Sequence, residues 1–139
     1  MNNERRQAVF TYDGTPIPLK RHRHTATGKT YDSQKKIKDD IRLILRAQAH
    51  RSGTRIEQLQ CPVSLTCMFS FAWPVSKKKP TMYPPHTAKP DIDNLVKFVL
   101  DVASGMLLYD DRLVTQISAQ KRYATHASTY FCLTYTIGQ

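Results

Sequence analysis

The stretch from Val63 to Trp73 reads VSLTCMFSFAW, and an apolar side chain stands at every second position. Successive side chains of a strand point to opposite faces of a sheet, so this alternation predicts a long strand with one buried face. The buried positions would be Val63, Leu65, Cys67, Phe69 and Phe71. Because an apolar sheet face must be covered by another layer, the chain needs further elements that pack on this strand.

Two segments have the periodicity of amphipathic helices. The first extends from about Ser33, a suitable N-cap, to His50, with apolar side chains at Ile37, Ile41, Ile44 and Leu45. The second extends from about Asp91 to Ser104, and Gly105 suits the position just beyond its end. Its apolar stripe consists of Ile92, Leu95, Val96, Val99, Val102 and Ala103.

Further strands are expected on both sides of these elements. Gln7 to Tyr12, followed by the turn dipeptide Asp13-Gly14, predicts a small N-terminal hairpin. Residues 113–123 predict a strand, residues 124–127 a turn and residues 128–137 a returning strand. Two basic loops, at about 18–32 and 74–90, complete a single α+β domain over residues 1–139. We predict two main helices packed on a mostly antiparallel or mixed sheet.

The charge of the chain indicates the class of partner. Lysine and arginine number 21 against 11 acids, which gives a formal charge of +10 and a sequence pI near 9.7. Such a balance is typical of proteins that meet phosphate backbones. Cys61, Cys67 and Cys132 have neither disulfide-framework nor zinc-site spacing, and no apolar leader or spanning segment stands out. We therefore expect a cytoplasmic protein, and the nucleoid or a phage-infected cell would suit it.

The negative charge is concentrated in a few positions. After Glu57 the only acids are Asp91, Asp93, Asp101, Asp110 and Asp111. Carboxylates in a basic surface repel phosphate, so their grouping suggests that a cation mediates between them and a substrate. Aspartate oxygens are ligands that Mg²⁺ prefers. Asp91 and Asp93 can converge only if Asp91 lies just outside the second helix, which Pro90 favours.

A purely structural interpretation of these acids is also open. Aspartates at an N-cap and in a first turn stabilise a helix by about 1 kcal/mol without any catalytic role. Asp101 suits an i,i+4 pair with Lys97, and Asp110-Asp111 suits a loop turn. Lys97 could likewise only pair with Asp93 or Asp101.

The segment from Lys89 to Lys121 resembles the signature of the RusA family of Holliday junction resolvases. It contains a DxDNxxK helix start, a further Asp on the helix, and an Asp pair before a strand that ends in lysine. The N-terminal part is similar as well, with a G-x-P-x-P motif, a basic cluster and a tyrosine before the first helix. These are Gly14, Pro16, Pro18, Lys20, Arg21, Arg23 and Tyr31.

The resemblance implies a function and a set of site residues. It implies that Asp91, Asp93 and Asp111 hold Mg²⁺, for which Mn²⁺ could substitute, with Asp110 as the alternative to Asp111. Lys97 would stand near the scissile phosphate as a fourth catalytic residue. The enzyme would be a homodimer that resolves four-way DNA junctions by paired symmetrical nicks. Its role would be in DNA recombination, repair or the debranching of phage DNA.

Basic side chains outside this motif are candidates for contacts with the DNA backbone. They are Lys20, Arg21, Arg23, Lys77, Lys78, Lys79, Lys89 and Lys121. A merely solvated surface is the alternative for these residues. His22, His24 and His86 are weaker candidates for bases, and Tyr123, Tyr130 and Phe131 are better explained as core or interface residues. Two other functions remain open, a catalytically silent nucleic-acid-binding module and a metal nuclease for other branched DNA.

Overall fold

The computed structural model describes residues 3–54 and 58–138, apart from the side chain of Arg23. The strands are β1 (Glu4–Asp13), β2 (Arg23–His24), β3 (Thr30–Tyr31), β4 (Val63–Ala72), β5 (Val114–Ala124) and β6 (Ser128–Ile137). The helices are α1 (Lys35–Ser52) and α2 (Ile92–Ala103), with a short 3₁₀ helix at Asp111–Leu113. Two helices beside a four-stranded mixed sheet confirm the α+β prediction.

The main sheet has the strand order β1-β6-β4-β5. β6 pairs antiparallel with both β1 and β4, whereas β4 and β5 run parallel. Parallel neighbours cannot be joined by a tight hairpin and need a crossover connection. Here α2 forms that crossover, so the helix with the predicted catalytic residues lies between two paired strands in the chain.

The long strand predicted from Val63 to Trp73 is confirmed as β4. Its five alternating apolar residues are all buried, the most exposed being Phe71 at 7%. The same core takes in Phe10 of β1, Phe131 of β6, Leu45 of α1 and Phe98 of α2, so both helices and the sheet share one apolar interior. Phe10 and Phe131 stack in it at 5.2 Å between ring centroids. Cys67 and Cys132 are buried thiols, and burial raises the pKa of Cys67 to about 12.

The prediction of a local N-terminal hairpin is wrong. β1 pairs along its whole length with β6, and Val9 lies opposite Cys132. The turn signal at Asp13-Gly14 is real, but Gly14 donates its backbone N–H to Ala127 rather than closing a hairpin. β6 lies next to the central strand, so pairing with it places alternate β1 side chains in the core.

The first helix begins later than predicted, and only half of its predicted apolar stripe is buried. Ser33 is not its N-cap, which is Gln34, and the apolar residues Ile37 and Ile44 are 41% and 45% exposed. The buried positions are Lys38, Ile41, Leu45 and Ala49. These positions also have helical spacing. Because the first of them is a lysine, a search for apolar residues at that spacing does not include it.

The second helix agrees more closely with its prediction. It spans Ile92–Ala103 with Asp91 at the N-cap, and Gly105 adopts a positive φ of 83° beyond its end. Leu95, Val96, Val99, Val102 and Ala103 are buried as expected, whereas Ile92 is 37% exposed. Phe98, which the stripe omitted, is fully buried.

Replacing Phe98 by alanine is expected to lower the free energy of unfolding by about 3–5 kcal/mol, because a buried aromatic ring leaves a cavity. Leu43→Ala on α1, where the side chain is 61% exposed, is the control and should change it by less than about 0.5 kcal/mol. Urea unfolding followed by circular dichroism measures both. Equal midpoints for the two variants would contradict the placement of Phe98 in the core.

Candidate active site

Asp91 lies at the start of α2 without acting as a side-chain cap. Its backbone is extended, with φ −70° and ψ 143°, and its carboxylate makes no capping hydrogen bond within the part of the chain that the structure describes. Asp93 lies in the first helical turn, and both side chains are exposed. A capping bond therefore does not account for Asp91, and its carboxylate oxygens face solvent.

The segment before Asp91 is held from the sheet side. Lys121 of β5 donates from Nζ to the carbonyl oxygens of Ala88 and Pro90, each at 2.7 Å. The Lys89–Pro90 peptide bond in this segment is cis. Lys121 was predicted to bind DNA, and its half-buried ammonium here binds backbone instead. The structure thus shows a role for Lys121 in placing Asp91, and contact with DNA stays a prediction.

The N-terminal chain supports the same helix start from the other side. Leu19 donates its backbone N–H to the carbonyl oxygen of Asn94 at 2.9 Å. A cleft of about 540 Å³ lies here, between the Thr15–Leu19 segment and Lys89, Pro90 and Asp91. Asp91 therefore borders an open cleft into which a substrate group could enter.

The polar face of α2 carries Asp93, Lys97 and Asp101 at intervals of four residues. Lys97 Nζ lies 3.8 Å from Asp93 Oδ2, and both side chains are more than half exposed. Of the two pairings left open for Lys97, the one with Asp93 is present, whereas Asp101 binds Lys38 of α1 at 2.5 Å. Lys97 and Asp93 form a loose, solvent-exposed pair, which leaves both available to a ligand.

Asp110 and Asp111 differ in their surroundings. Asp110 accepts a hydrogen bond from the backbone N–H of Arg112 at 2.9 Å, and this bond lowers the pKa of Asp110 below its usual value. The pKa of Asp111 is raised, first by desolvation and then by the hydrogen bond and charge of Asp110 and the charge of Asp101. Asp110 is thus satisfied by its own turn, whereas Asp111 is a carboxylate crowded by negative charge.

The donor chemistry of these residues fits a hard cation, because carboxylate oxygens are the ligands of Mg²⁺ and like-charge crowding at Asp111 would be relieved by one. Their placement is less compact. Asp91 and Asp93 lie at the start of α2, whereas Asp111 lies in the 3₁₀ helix that follows the end of α2. Within residues 3–54 and 58–138, no three His, Cys, Asp or Glu side chains are grouped closely enough to hold one metal ion.

Most of the predicted DNA-binding side chains are exposed to solvent. Lys20, Arg21 and Lys89 are exposed, as are Lys77, Lys78 and Lys79. Lys77 Nζ lies 5.7 Å from the ring centroid of Trp73. Arg23 belongs to β2, but its side chain lies outside the described residues, so its predicted contact is not placed.

His86, one of the weaker candidates for a base, is 8% exposed and stacks on Phe71 at 3.8 Å between ring centroids. Burial and then the charge of Lys121 lower its pKa, so the ring is held neutral. The packing is that of a core residue beside the Lys121 contact. Tyr123 is partly buried against the core and packs edge-on on Trp73 nearby, which agrees with its assignment to the core or an interface.

Sequence reasoning missed one charged residue next to the site. Lys38 of α1 is only 1% exposed and binds Asp32 at 2.6 Å as well as Asp101 at 2.5 Å. A lysine among many lysines on a helix gives no signal of burial by its type alone. The available signal was its spacing, because Lys38 precedes Ile41 and Leu45 by three and seven residues on one helix face.

Fold, charge and site together describe a basic α+β domain of the kind that acts on nucleic acid, with exposed carboxylates beside exposed lysines. Residues 13–131 match the family model described as Endodeoxyribonuclease RusA. That match covers most of the chain and every candidate site residue, and the chain belongs to this family of endodeoxyribonucleases. No curated protein matches the chain. Among the helices that the structure describes, none is long and apolar enough to cross a membrane.

The raised pKa of Asp111 has a measurable consequence for stability. Because the folded state binds this proton more tightly than the unfolded chain, its stability should fall as pH rises through the interval between the ordinary and the raised pKa. The Asp111→Asn side chain does not ionise, so this variant should not lose stability over that pH interval. In buffer without divalent metal it should be more stable than the wild type at pH 7, by less than about 1 kcal/mol, with no difference at pH about 3.

Asp110→Ala is the matched control for that measurement. It removes the acceptor for the Arg112 N–H and should therefore be less stable than the wild type at pH 7. Urea unfolding at the two pH values measures both variants. A destabilising effect of Asp111→Asn at pH 7 would contradict the electrostatic description of this carboxylate.

Proposed function

We propose that this protein is a Mg²⁺-dependent endonuclease that resolves four-way DNA junctions. The observation that carries the proposal is the match of residues 13–131 to an endodeoxyribonuclease family, which includes all the exposed carboxylates and lysines of the site. Branched DNA presents several phosphate backbones at once, which suits a chain with a formal charge of +10. Paired nicks at a two-fold symmetric junction would require two symmetric sites, so we propose a homodimer.

Asp91, Asp93 and Asp111 are the residues that would hold the metal, with Mn²⁺ as a substitute for Mg²⁺. A bound ion of this kind polarises a phosphoryl oxygen and lowers the pKa of a water molecule. The uncapped state of Asp91 and the crowding of Asp111 support this assignment over Asp110. Coordination of a single ion by all three would require the Asp111 turn and the start of α2 to approach each other.

The remaining residues have roles that need no metal. Lys97, one turn beyond Asp93, would offset negative charge that develops on the phosphate, and its flexible ammonium needs no fixed orientation for this. Lys121 would keep Asp91 in place through its two carbonyl contacts. Lys20, Arg21, Arg23, Lys77, Lys78, Lys79 and Lys89 would contact the sugar-phosphate backbone and orient the junction.

The biological setting follows from the substrate. An enzyme that cuts four-way junctions would serve DNA recombination, DNA repair or the debranching of replicated phage DNA. We therefore propose a role in one of these processes in the cytoplasm or nucleoid of a cell, which a phage infection would also provide.

Asp93→Asn should reduce the cleavage of a synthetic four-way junction in Mg²⁺ by about 100-fold or more, because an amide is a poorer ligand for a hard cation. Binding of the junction should be unchanged or tighter, since a negative charge is lost. A gel assay with end-labelled strands measures the nicks, and electrophoretic mobility measures binding.

Asp40→Asn is the control for that assay, because Asp40 is an exposed aspartate of α1 that pairs with Lys36 away from the site. It should cut at the wild-type rate. Undiminished cleavage by Asp93→Asn would exclude Asp93 as a metal ligand. If the wild type binds the junction but never cuts it, the chain would be a silent DNA-binding module.

Replacing Lys77, Lys78 and Lys79 together by alanine should weaken junction binding and flatten its dependence on salt. Each lost phosphate contact should reduce the slope of log K against log salt by about 0.9. The control is Lys35→Ala with Lys36→Ala, since those exposed lysines pair with Asp39 and Asp40 on α1. An unchanged slope for the triple variant would assign the three lysines to solubility alone.

A further inference from the structure

Lys38 joins three parts of the molecule at one buried point. Its side chain is 1% exposed, and its Nζ lies 2.6 Å from Asp32 and 2.5 Å from Asp101. Asp32 ends the basic loop at 18–32, Lys38 belongs to α1, and Asp101 belongs to α2. One ammonium group thus connects the loop that we propose to bind DNA with α2, which carries residues that we propose to act in DNA cleavage.

The charge of Lys38 is retained at this buried position. Burial by itself would lower the pKa of Lys38, but the hydrogen bonds to Asp101 and Asp32 outweigh it and the pKa is raised. The same contact lowers the pKa of Asp32. An ammonium is therefore held between two carboxylates, and its positive charge partly offsets the negative charge of both.

The contact with Asp101 determines the partner of Lys97. Lys97 stands one helical turn from Asp93 on one side and one turn from Asp101 on the other, so either acid could pair with it. In the structure Lys97 lies 3.8 Å from Asp93, while Asp101 lies 2.5 Å from Lys38. Lys38 therefore binds the acid of α2 that would otherwise compete with Asp93 for Lys97.

We infer that Lys38 is a positioning residue for the active site, which neutralises Asp101 and holds its carboxylate away from Lys97. Without Lys38, the freed carboxylate of Asp101 competes for Lys97 and adds uncompensated negative charge near Asp111, where a phosphate must approach. This inference rests on the proposed function, because it assigns Lys97 to the substrate.

Helix packing does not depend on Lys38 alone. Arg42, one turn further along α1, donates to the carbonyl oxygens of Asp101 at 2.9 Å and Val102 at 3.1 Å. The apolar residues Ile41 and Leu45 also lie in the core that both helices share. A variant at position 38 can thus keep the two helices together while it releases the side chain of Asp101.

The test is the pair Lys38→Met and Lys38→Met with Asp101→Asn. Methionine fills the buried space without a charge. The single variant should cut a four-way junction about tenfold more slowly than the wild type, and the added Asp101→Asn should restore the rate to within about threefold. If Lys38 only holds the two helices together, the second substitution cannot restore the rate. A double variant that is as slow as the single variant overturns the inference.

Lys36→Met serves as the control, because Lys36 is an exposed lysine two positions away on the same helix. It should cut at the wild-type rate. That result would show that the loss of a lysine from α1 does not by itself slow cleavage. Thermal unfolding of each variant excludes a loss of fold as the source of a slow rate. If Lys38→Met is folded and cuts as fast as the wild type, the inference is wrong.

A second readout is independent of cleavage. The coupling between Lys97 and Asp101 is measured by a double-mutant cycle on urea unfolding, with Lys97→Met and Asp101→Asn. It should be absent in the wild-type background and present in the Lys38→Met background, where Asp101 is free. A coupling that is the same in both backgrounds overturns the inference. If the wild type cuts no junction, the proposed function fails, and this cycle still decides the role of Lys38.

Discussion

The parallel pairing of β4 with β5 is the constraint on which the site depends. Two parallel neighbours cannot be joined by a tight turn, so the chain between them must cross over, and α2 is the helix that does so. The crossover brings the start of α2 beside the far end of β5, where Lys121 reaches the carbonyl oxygens of Ala88 and Pro90. It also returns the chain through Asp110 and Asp111 directly into β5.

Electrostatic balance in this protein is local rather than global. The chain is strongly basic, yet several acids near the site have a specific partner. Asp101 is held by Lys38, Asp110 by the Arg112 backbone, and Lys97 lies loosely beside Asp93. Among the residues that the structure describes, Asp91 and Asp111 have no ion-pair partner, and they are two of the three carboxylates that we propose as metal ligands. A site that binds a cation needs such uncompensated negative charge. The pairing of the neighbouring acids limits that charge to a few carboxylates.

The parts of the fold that were predictable from sequence are those in which burial follows a local period. The alternation in β4 and the stripe in α2 identify their buried faces, because one face of each lies against the core. The same reasoning was wrong for β1, whose partner β6 lies more than a hundred residues away in the chain. It was also wrong for half of the α1 stripe, because Lys38 is buried and paired with Asp32 and Asp101, while Ile37 and Ile44 face solvent.

By itself the sequence determined the α+β class, the basic character and the acidic positions worth testing, because composition, period and motif are properties of neighbouring residues. Only the tertiary structure decided how the charged groups are used. It placed Lys121 on backbone carbonyls, gave Asp101 to Lys38 rather than to Lys97, and separated Asp110 from Asp111 by their hydrogen bonds. The physical reason is that an ionisable side chain can choose among several partners. Which partner it meets depends on elements far apart in the chain that the folded core brings together.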